Sequence, residues 1–130
     1  MTTSSVSPVT TELAGSETGI TLVIHAGAGS RGKHSTPERI AQVELDLQRA
    51  LDAGYQLLES GAPAHEAVVA AIHVMEDAPE FNAGRGAALT SDGIAQMDAC
   101  LMTGDGEVGA VTGVSLSLIH ISEPTRLLSI

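Results

Sequence analysis

The sequence has no tryptophan, and aromatic rings make up 2% of it, as Tyr55 and Phe81. That rules out a core anchored by large rings and leaves one built from Ala, Val, Leu and Ile in close contact. Cysteine is present once, at Cys100. An internal disulfide and a cysteine metal framework are both excluded. Cys100 then reads as a small buried hydrophobe, and the usage fits a reducing, cytoplasmic compartment. Basic residues are scarce, 6 Lys and Arg against 16 Asp and Glu, for a net charge of −10. Nucleic acid is not an expected partner, because phosphate binding needs clustered Lys and Arg. No apolar run is long enough to span a membrane. The opening "MTTSSVSPVTTELAGSETG" has neither a basic n-region nor an apolar h-region. It is not a signal peptide, and residues 1–19 read as a disordered tail. At 130 residues the chain has room for one small domain, or for part of a larger one.

What is present is organised by glycine and by apolar periodicity. "ITLVIHA", Ile20 to Ala26, is short, apolar and β-branched, and reads as a strand buried on both faces. A glycine loop, "GAGSRGKHS", follows. A helix is expected next, with Thr36 as N-cap, Pro37 in the first helical position and Glu38 in the first turn. Its apolar face is Ile40, Val43, Leu47, Leu51 and Leu58, and Gly61 stops it. A second helix starts at Pro63, carries Ala67, Val68, Ala71, Ile72 and Met75 as its stripe, and ends near Asp77, ahead of Pro79. The period then changes. "AAL", "IAQMDACLM" and "EVGAVTGV" read as three short strands joined at "TSDG" and "TGDG", each with the Asp-Gly chemistry of a hairpin turn. This order implies an α+β class, with helices packed on a mostly antiparallel sheet.

The last sixteen residues, "SLSLIHISEPTRLLSI", contain neither Gly nor Ala and show no clear period. One reading is an irregular extension. The favoured reading is that "LSLIHISEPTR" resembles translated read-through of a sequencing adapter. Residues 115–130 are then a non-native tail, and natural sequence ends near Val114.

Several motifs admit more than one reading. "GAGSRG", Gly27 to Gly32, matches the dinucleotide fingerprint after an expected strand. That site needs its helix to begin inside the motif, yet the helix signals come only at Thr36 and Pro37. A loop that turns the chain sharply fits better. His25 closes the first strand, where a satisfied structural histidine is the commoner case. His34, His65 and His73 lack ligand spacing to one another, and His120 lies in the tail, so zinc is not expected. Asp98 interrupts an apolar alternation. Inward it would need donors, outward it is simple, and a structural role is favoured. In "PEFNAGRGAALTSDG", Gly84 and Gly86 imply backbone that a side chain would forbid, or backbone approached very closely.

Together, "LVIHAGAG" and "MEDAPEFNAGRGAALTSDGIAQMDACLMTGDGEVGAVTGV" resemble the plant-type (type 2) asparaginase and isoaspartyl peptidase family of N-terminal nucleophile hydrolases. The resemblance spans residues 20–114. It implies a fragment of an αββα sandwich whose precursor cuts itself into α and β subunits. The cut frees an N-terminal Thr, which is the nucleophile and carries its own amino group as base. Implied substrates are L-asparagine and β-aspartyl peptides, with L-aspartate released by hydrolysis, and an oxyanion hole serving the tetrahedral stages.

The resemblance also assigns residues. His25, Ala26 and Gly27 open the glycine loop beside the nucleophile, with Ala26 where the family usually has Gly. Asn82 matches the Asn of "FNAG" near the catalytic Thr. The main-chain carbonyls of Met75, Glu76, Ala78, Phe81, Ala83 and Arg85 match a loop that wraps a structural sodium ion, with no organic cofactor expected. "EVGAV" looks like the scissile stretch but has Glu107 where the nucleophile would stand, so Thr112 is not a candidate. The expectation is therefore the α-subunit portion alone, truncated before its Thr and inactive by itself. Its implied partner is the β subunit of the same precursor, in an αβ protomer that dimerises. Two other readings stay open: a nucleotide-binding module using Gly27 to Gly32, and a non-catalytic α+β interaction domain.

Overall fold

The computed structural model describes residues 19–26 and 36–115. The N-terminal tail, the glycine loop with Gly27 and His34, and the tail from residue 116 with His120 lie outside the described residues. The described elements are helix α1 (Pro37–Glu59), helix α2 (Ala64–Asp77), a 3-10 turn (Gly84–Gly86), and strands β1 (Met97–Met102) and β2 (Val108–Val114). The α+β class is as expected from the sequence.

Helix α1 starts where its capping chemistry places it. Thr36 is extended and its side chain accepts the Arg39 N–H, which satisfies one of the orphan donors of the first turn. At the far end Ser60 and Ala62 donate to the carbonyls of Gln56 and Leu57, and Gly61 takes φ +84. Pro63 precedes α2, and its carbonyl accepts from Glu66 and Ala67.

The two helices pack through small residues. Ala50 and Ala67 are fully buried, with Leu51, Ala71 and Met75 beside them. Gly54 lies at the contact: a Cβ there would meet Leu22 Cδ2 at 2.7 Å, the Ala67 carbonyl at 2.8 Å and Ala71 Cβ at 3.3 Å. The apolar stripe of α2 is narrower than its sequence suggests. Ala67, Ala71 and Met75 are buried, while Val68 and Ile72 are each 41% exposed. The same holds for Ile40 of α1 at 46% exposure, and the buried line runs instead through Asp46, Ala50, Leu51 and Gly54. Asp46 stays satisfied there by Gln42 Nε2 at 2.9 Å and Arg49 Nη1 at 3.2 Å.

Residues 19–26 depart from expectation. Among the described residues they pair with no strand, and burial alternates along them, with Ile20, Leu22, Ile24 and Ala26 half-buried and Val23 exposed. A run buried on both faces needs a second layer and strand neighbours. Only the helical layer is present among the described residues, so one face is covered and the other is open.

The expected three-strand meander resolves into a two-strand antiparallel ladder, Met102 to Val108 through Ala99 to Val111. "AAL" contributes only an isolated bridge, Leu89 to Ala95. Between Met97 and Ala99 the register slips by one, so Thr112 and Gly113 together oppose Asp98.

Candidate functional site: a glycine-pinned loop after the second helix

Helix α2 ends at Asp77, and its C-cap Ala78 is extended, with its N–H on the Met75 carbonyl. Residues 78–88 then coil back over the helix end. Phe81 N–H donates to Ala78, Gly86 N–H to Ala83 and Ala87 N–H to Gly84. Phe81 is buried in one cluster with Ala50, Met75 and Ala78, and Ile24, Ala26, Val43, Leu47 and Val74 pack against that cluster. This apolar cluster is what brings the end of the 19–26 segment beside the loop.

Two glycines make the coil possible, for different reasons. Gly84 has φ +51, and a Cβ on it would run into the carbonyl, Cβ and carbonyl carbon of Glu76. Gly86 has no left-handed φ, yet a Cβ there would collide with the Phe81 carbonyl oxygen and come within 2.5 Å of the Pro79 carbonyl oxygen. The loop is therefore closed by main-chain oxygens pressed against main-chain glycine. Both readings of these glycines raised by the sequence, forbidden backbone and close approach, are found here, one chiefly at each.

Three further contacts hold the loop. Asn82 Oδ1 accepts the Ala88 N–H at 2.8 Å and bridges the coil. The Gly84 N–H donates to Met97 Sδ at 3.1 Å, which ties the coil to the start of β1. Arg39 Nε of α1 pairs with Glu80 Oε2 at 2.6 Å. Burial pushes the Glu76 carboxyl up, partly offset by His73, with Asp77 adding to the rise. The Met97 sulfur has no recognisable signal in the sequence. Its role comes from the fold-back of β1 onto the loop.

His25 is exposed and Ala26 half-buried. Among the described residues no hydrogen bond joins either to Asn82, and what they share with the loop is the apolar cluster under Ala26 and Phe81. Gly27 lies outside the described residues. Helix α1 begins at Pro37, five positions past Gly32, and α2 follows it in place of a strand. That is not the strand–loop–helix geometry of a dinucleotide site.

Asp98 faces outward, as the simpler sequence reading has it. Its carboxylate accepts Thr112 Oγ1 at 2.6 Å and the Gly113 N–H at 2.8 Å. The bulge frees that N–H, and Gly113 carries φ +63. The Thr112 hydroxyl, and after it the Gly113 N–H, hold the Asp98 carboxyl below its ordinary range. Thr112 is thereby committed to the bulge. Cys100 is exposed rather than buried, because β1 has no second layer over it among the described residues.

Comparison with known proteins places the sequence in a family. A family model described as Asparaginase matches residues 18–127. The chain belongs to the asparaginase family. It is 44% identical over 96 residues to the plant-type L-asparaginase of Pyrococcus abyssi, covering 73% of this chain and 30% of that protein. It is 38% identical over 106 residues to the isoaspartyl peptidase of Escherichia coli, covering 79% and 32%. It is 40% identical over 107 residues to the isoaspartyl peptidase/L-asparaginase of Bos taurus, covering 82% and 32%. The chain thus spans about a third of the length of these curated relatives. Among the described residues no helix is long and apolar enough to cross a membrane, and no group of His, Cys, Asp and Glu could hold a metal ion.

Proposed function

We propose that this chain is the α-subunit portion of an isoaspartyl peptidase/L-asparaginase, a cytoplasmic hydrolase that releases L-aspartate from β-aspartyl peptides and L-asparagine. The observation that carries the reading is the coil from Met75 to Gly86, closed by carbonyl oxygens on Gly84 and Gly86, in a chain of the asparaginase family. Its donor set suits a sodium ion. The oxygens of Met75, Glu76, Ala78, Phe81, Ala83 and Arg85 are hard and neutral, and they come from one short stretch that curls on itself. Those of Met75, Ala78 and Ala83 each accept one N–H already, which leaves a second lone pair on each. Bound there, the ion would stiffen the coil and supply no redox or acid–base chemistry. Asn82, with Oδ1 committed to Ala88, keeps its amide N–H groups for the active centre. Ala26, seated on the same apolar cluster, sets where the glycine loop leaves the core.

In this reading the N-terminal Thr and the residues that hold the substrate belong to the β subunit, in an αβ protomer that dimerises within the sandwich fold. In this reading the domain portion is residues 20–114 and residues 115–130 are a non-native tail, although the family match itself runs on to residue 127. The abrupt loss of Gly and Ala after Val114 supports that boundary. The exposed Val23 and a 19–26 segment that pairs with no strand among the described residues are what an absent sheet layer would leave.

The test has two parts. Resequencing the locus past Val114 is expected to give a Gly-Thr followed by "VGAV", with Arg and Asp beyond. The precursor so encoded should cleave itself and release aspartate from a β-aspartyl dipeptide. The 130-residue chain alone should release no ammonia from asparagine, and release above a blank would refute the assignment of the nucleophile to another segment.

A further inference from the structure

The chain contains two Asp-Gly dipeptides, Asp92-Gly93 and Asp105-Gly106, and the structure builds the same turn around each. In the first, Thr90 N–H donates to the Ile94 carbonyl at 2.9 Å and Gly93 N–H to the Thr90 carbonyl at 3.0 Å. Ile94 N–H also donates to Thr90 Oγ1 at 3.3 Å. In the second, Thr103 N–H donates to Glu107 at 2.9 Å and Gly106 N–H to Thr103 at 3.1 Å, with Glu107 N–H on Thr103 Oγ1 at 3.2 Å. Gly93 has φ +76 and Gly106 φ +91, and neither glycine has an atom within 4 Å of where a Cβ would stand. Sequence pattern alone cannot tell these sites apart.

Two differences separate them. The Thr103 hydroxyl donates to Asp105 Oδ1, whereas Asp92 accepts no hydrogen bond from any described residue. The second turn also closes a continuous ladder that begins at Met102 and Val108, while the first is closed by the single Leu89–Ala95 bridge. We propose that Asp92 is a site of spontaneous aspartate isomerisation in the folded chain, and that the matched Asp105 is protected by Thr103 and by its ladder.

The chemistry needs no partner but water. The Gly93 amide nitrogen attacks the side-chain carbonyl carbon of the protonated Asp92 carboxyl. A C–N bond forms, and the carboxyl hydroxyl leaves with the amide proton as water, giving a cyclic imide. Water then adds to one of the two imide carbonyls and the ring opens, either to aspartate or to the β-linked isoaspartate. Glycine presents the least obstructed nitrogen for this step. The Gly93 N–H must first leave the Thr90 carbonyl, so the rate follows local opening of the turn. Opening costs less where one bridge, rather than a ladder, holds the strands. At Asp105 the Thr103 hydroxyl must also be released. That hydroxyl, with the Asp105 backbone N–H second, holds the carboxyl below its ordinary value and so depletes the protonated form that reacts. The inference does not depend on the hydrolytic activity proposed above.

The test is peptide mapping of the purified chain after prolonged incubation at neutral pH, with isoaspartate located by fragmentation mass spectrometry. In native buffer Asp92 should convert faster than Asp105 by about threefold or more, and the two rates should converge in guanidinium, where no turn remains. Thr103→Val should raise the Asp105 rate toward that of Asp92, while Thr103→Ser should leave it low. Equal rates in native buffer, or a Thr103→Val chain that still protects Asp105, would overturn the proposal.

Discussion

The helical half of the chain and the hairpin half that follows it are held in opposite ways. From Pro37 to Gly86 the structure is tertiary: alanines at zero exposure, a glycine wedged between helices, carbonyls pressed on glycine. From Leu89 to Val114 it is local. Leu89 is 65% exposed, Met102 68% and Val108 61%, and apart from the Met97 sulfur on the Gly84 N–H the contacts that hold it are ladder, turn and bulge hydrogen bonds. A two-stranded hairpin without a covered face is marginal by itself. Conformation in the first half is thus set by what touches each residue, and in the second by backbone chemistry. Glycines show this most directly. Gly84 and Gly86 are crowded, while Gly93, Gly106 and Gly113 stand in open space.

The largest expected effect breaks that comparison if it fails. Gly84→Ala must place a Cβ into Glu76 at a positive φ, and should destabilise the chain by about 3 kcal/mol or more. Gly93→Ala meets only the φ penalty and should cost about 1 kcal/mol. Denaturant melts of the two variants test the contrast, and equal losses would refute it. Gly54→Val comes next. It overpacks the contact with Leu22, Ala67 and Ala71, with an expected cost of about 1–3 kcal/mol and a loss of amide protection in both helices. Thr36→Ala removes the α1 cap and should cost about 1 kcal/mol, read as fraying confined to the first turn.

The smallest effect sharpens the hairpin side. The folded-state pKa of Asp98 is lowered, so its contribution is present above its unfolded value and lost as pH falls through the folded one. Gly113 amide exchange, corrected for its intrinsic pH dependence, should therefore speed up on acidification below the usual aspartate range. Asp98→Ala should abolish that response. An unchanged Gly113 profile in the variant would mean that the carboxylate does not hold the bulge.

Much of this was legible in the sequence, residue by residue. Thr36, Pro37 and Gly61 mark the ends of α1 because capping is local chemistry. Thr90 to Ile94 and Thr103 to Glu107 announce their turns for the same reason. The odd glycines of "NAGRG" signalled a loop where side chains do not fit. Less legible were the burial of Ile40, Val68 and Ile72 and the state of residues 20–26. Their apolar character records a covering that the described residues do not supply. The Met97 thioether on Gly84 was invisible, since a methionine in a strand pattern carries no mark of what its sulfur accepts.

The sequence by itself determined where the two helices start and stop, which turns form, and to which family the chain belongs. Each of these depends on neighbours a few positions apart or on a long ungapped pattern. Only the tertiary structure decided which apolar residues are buried and that Gly54 and Gly86 are closed to any side chain. Those outcomes depend on atoms brought together from distant or folded-back backbone, and such proximity is set by packing, which no local pattern encodes.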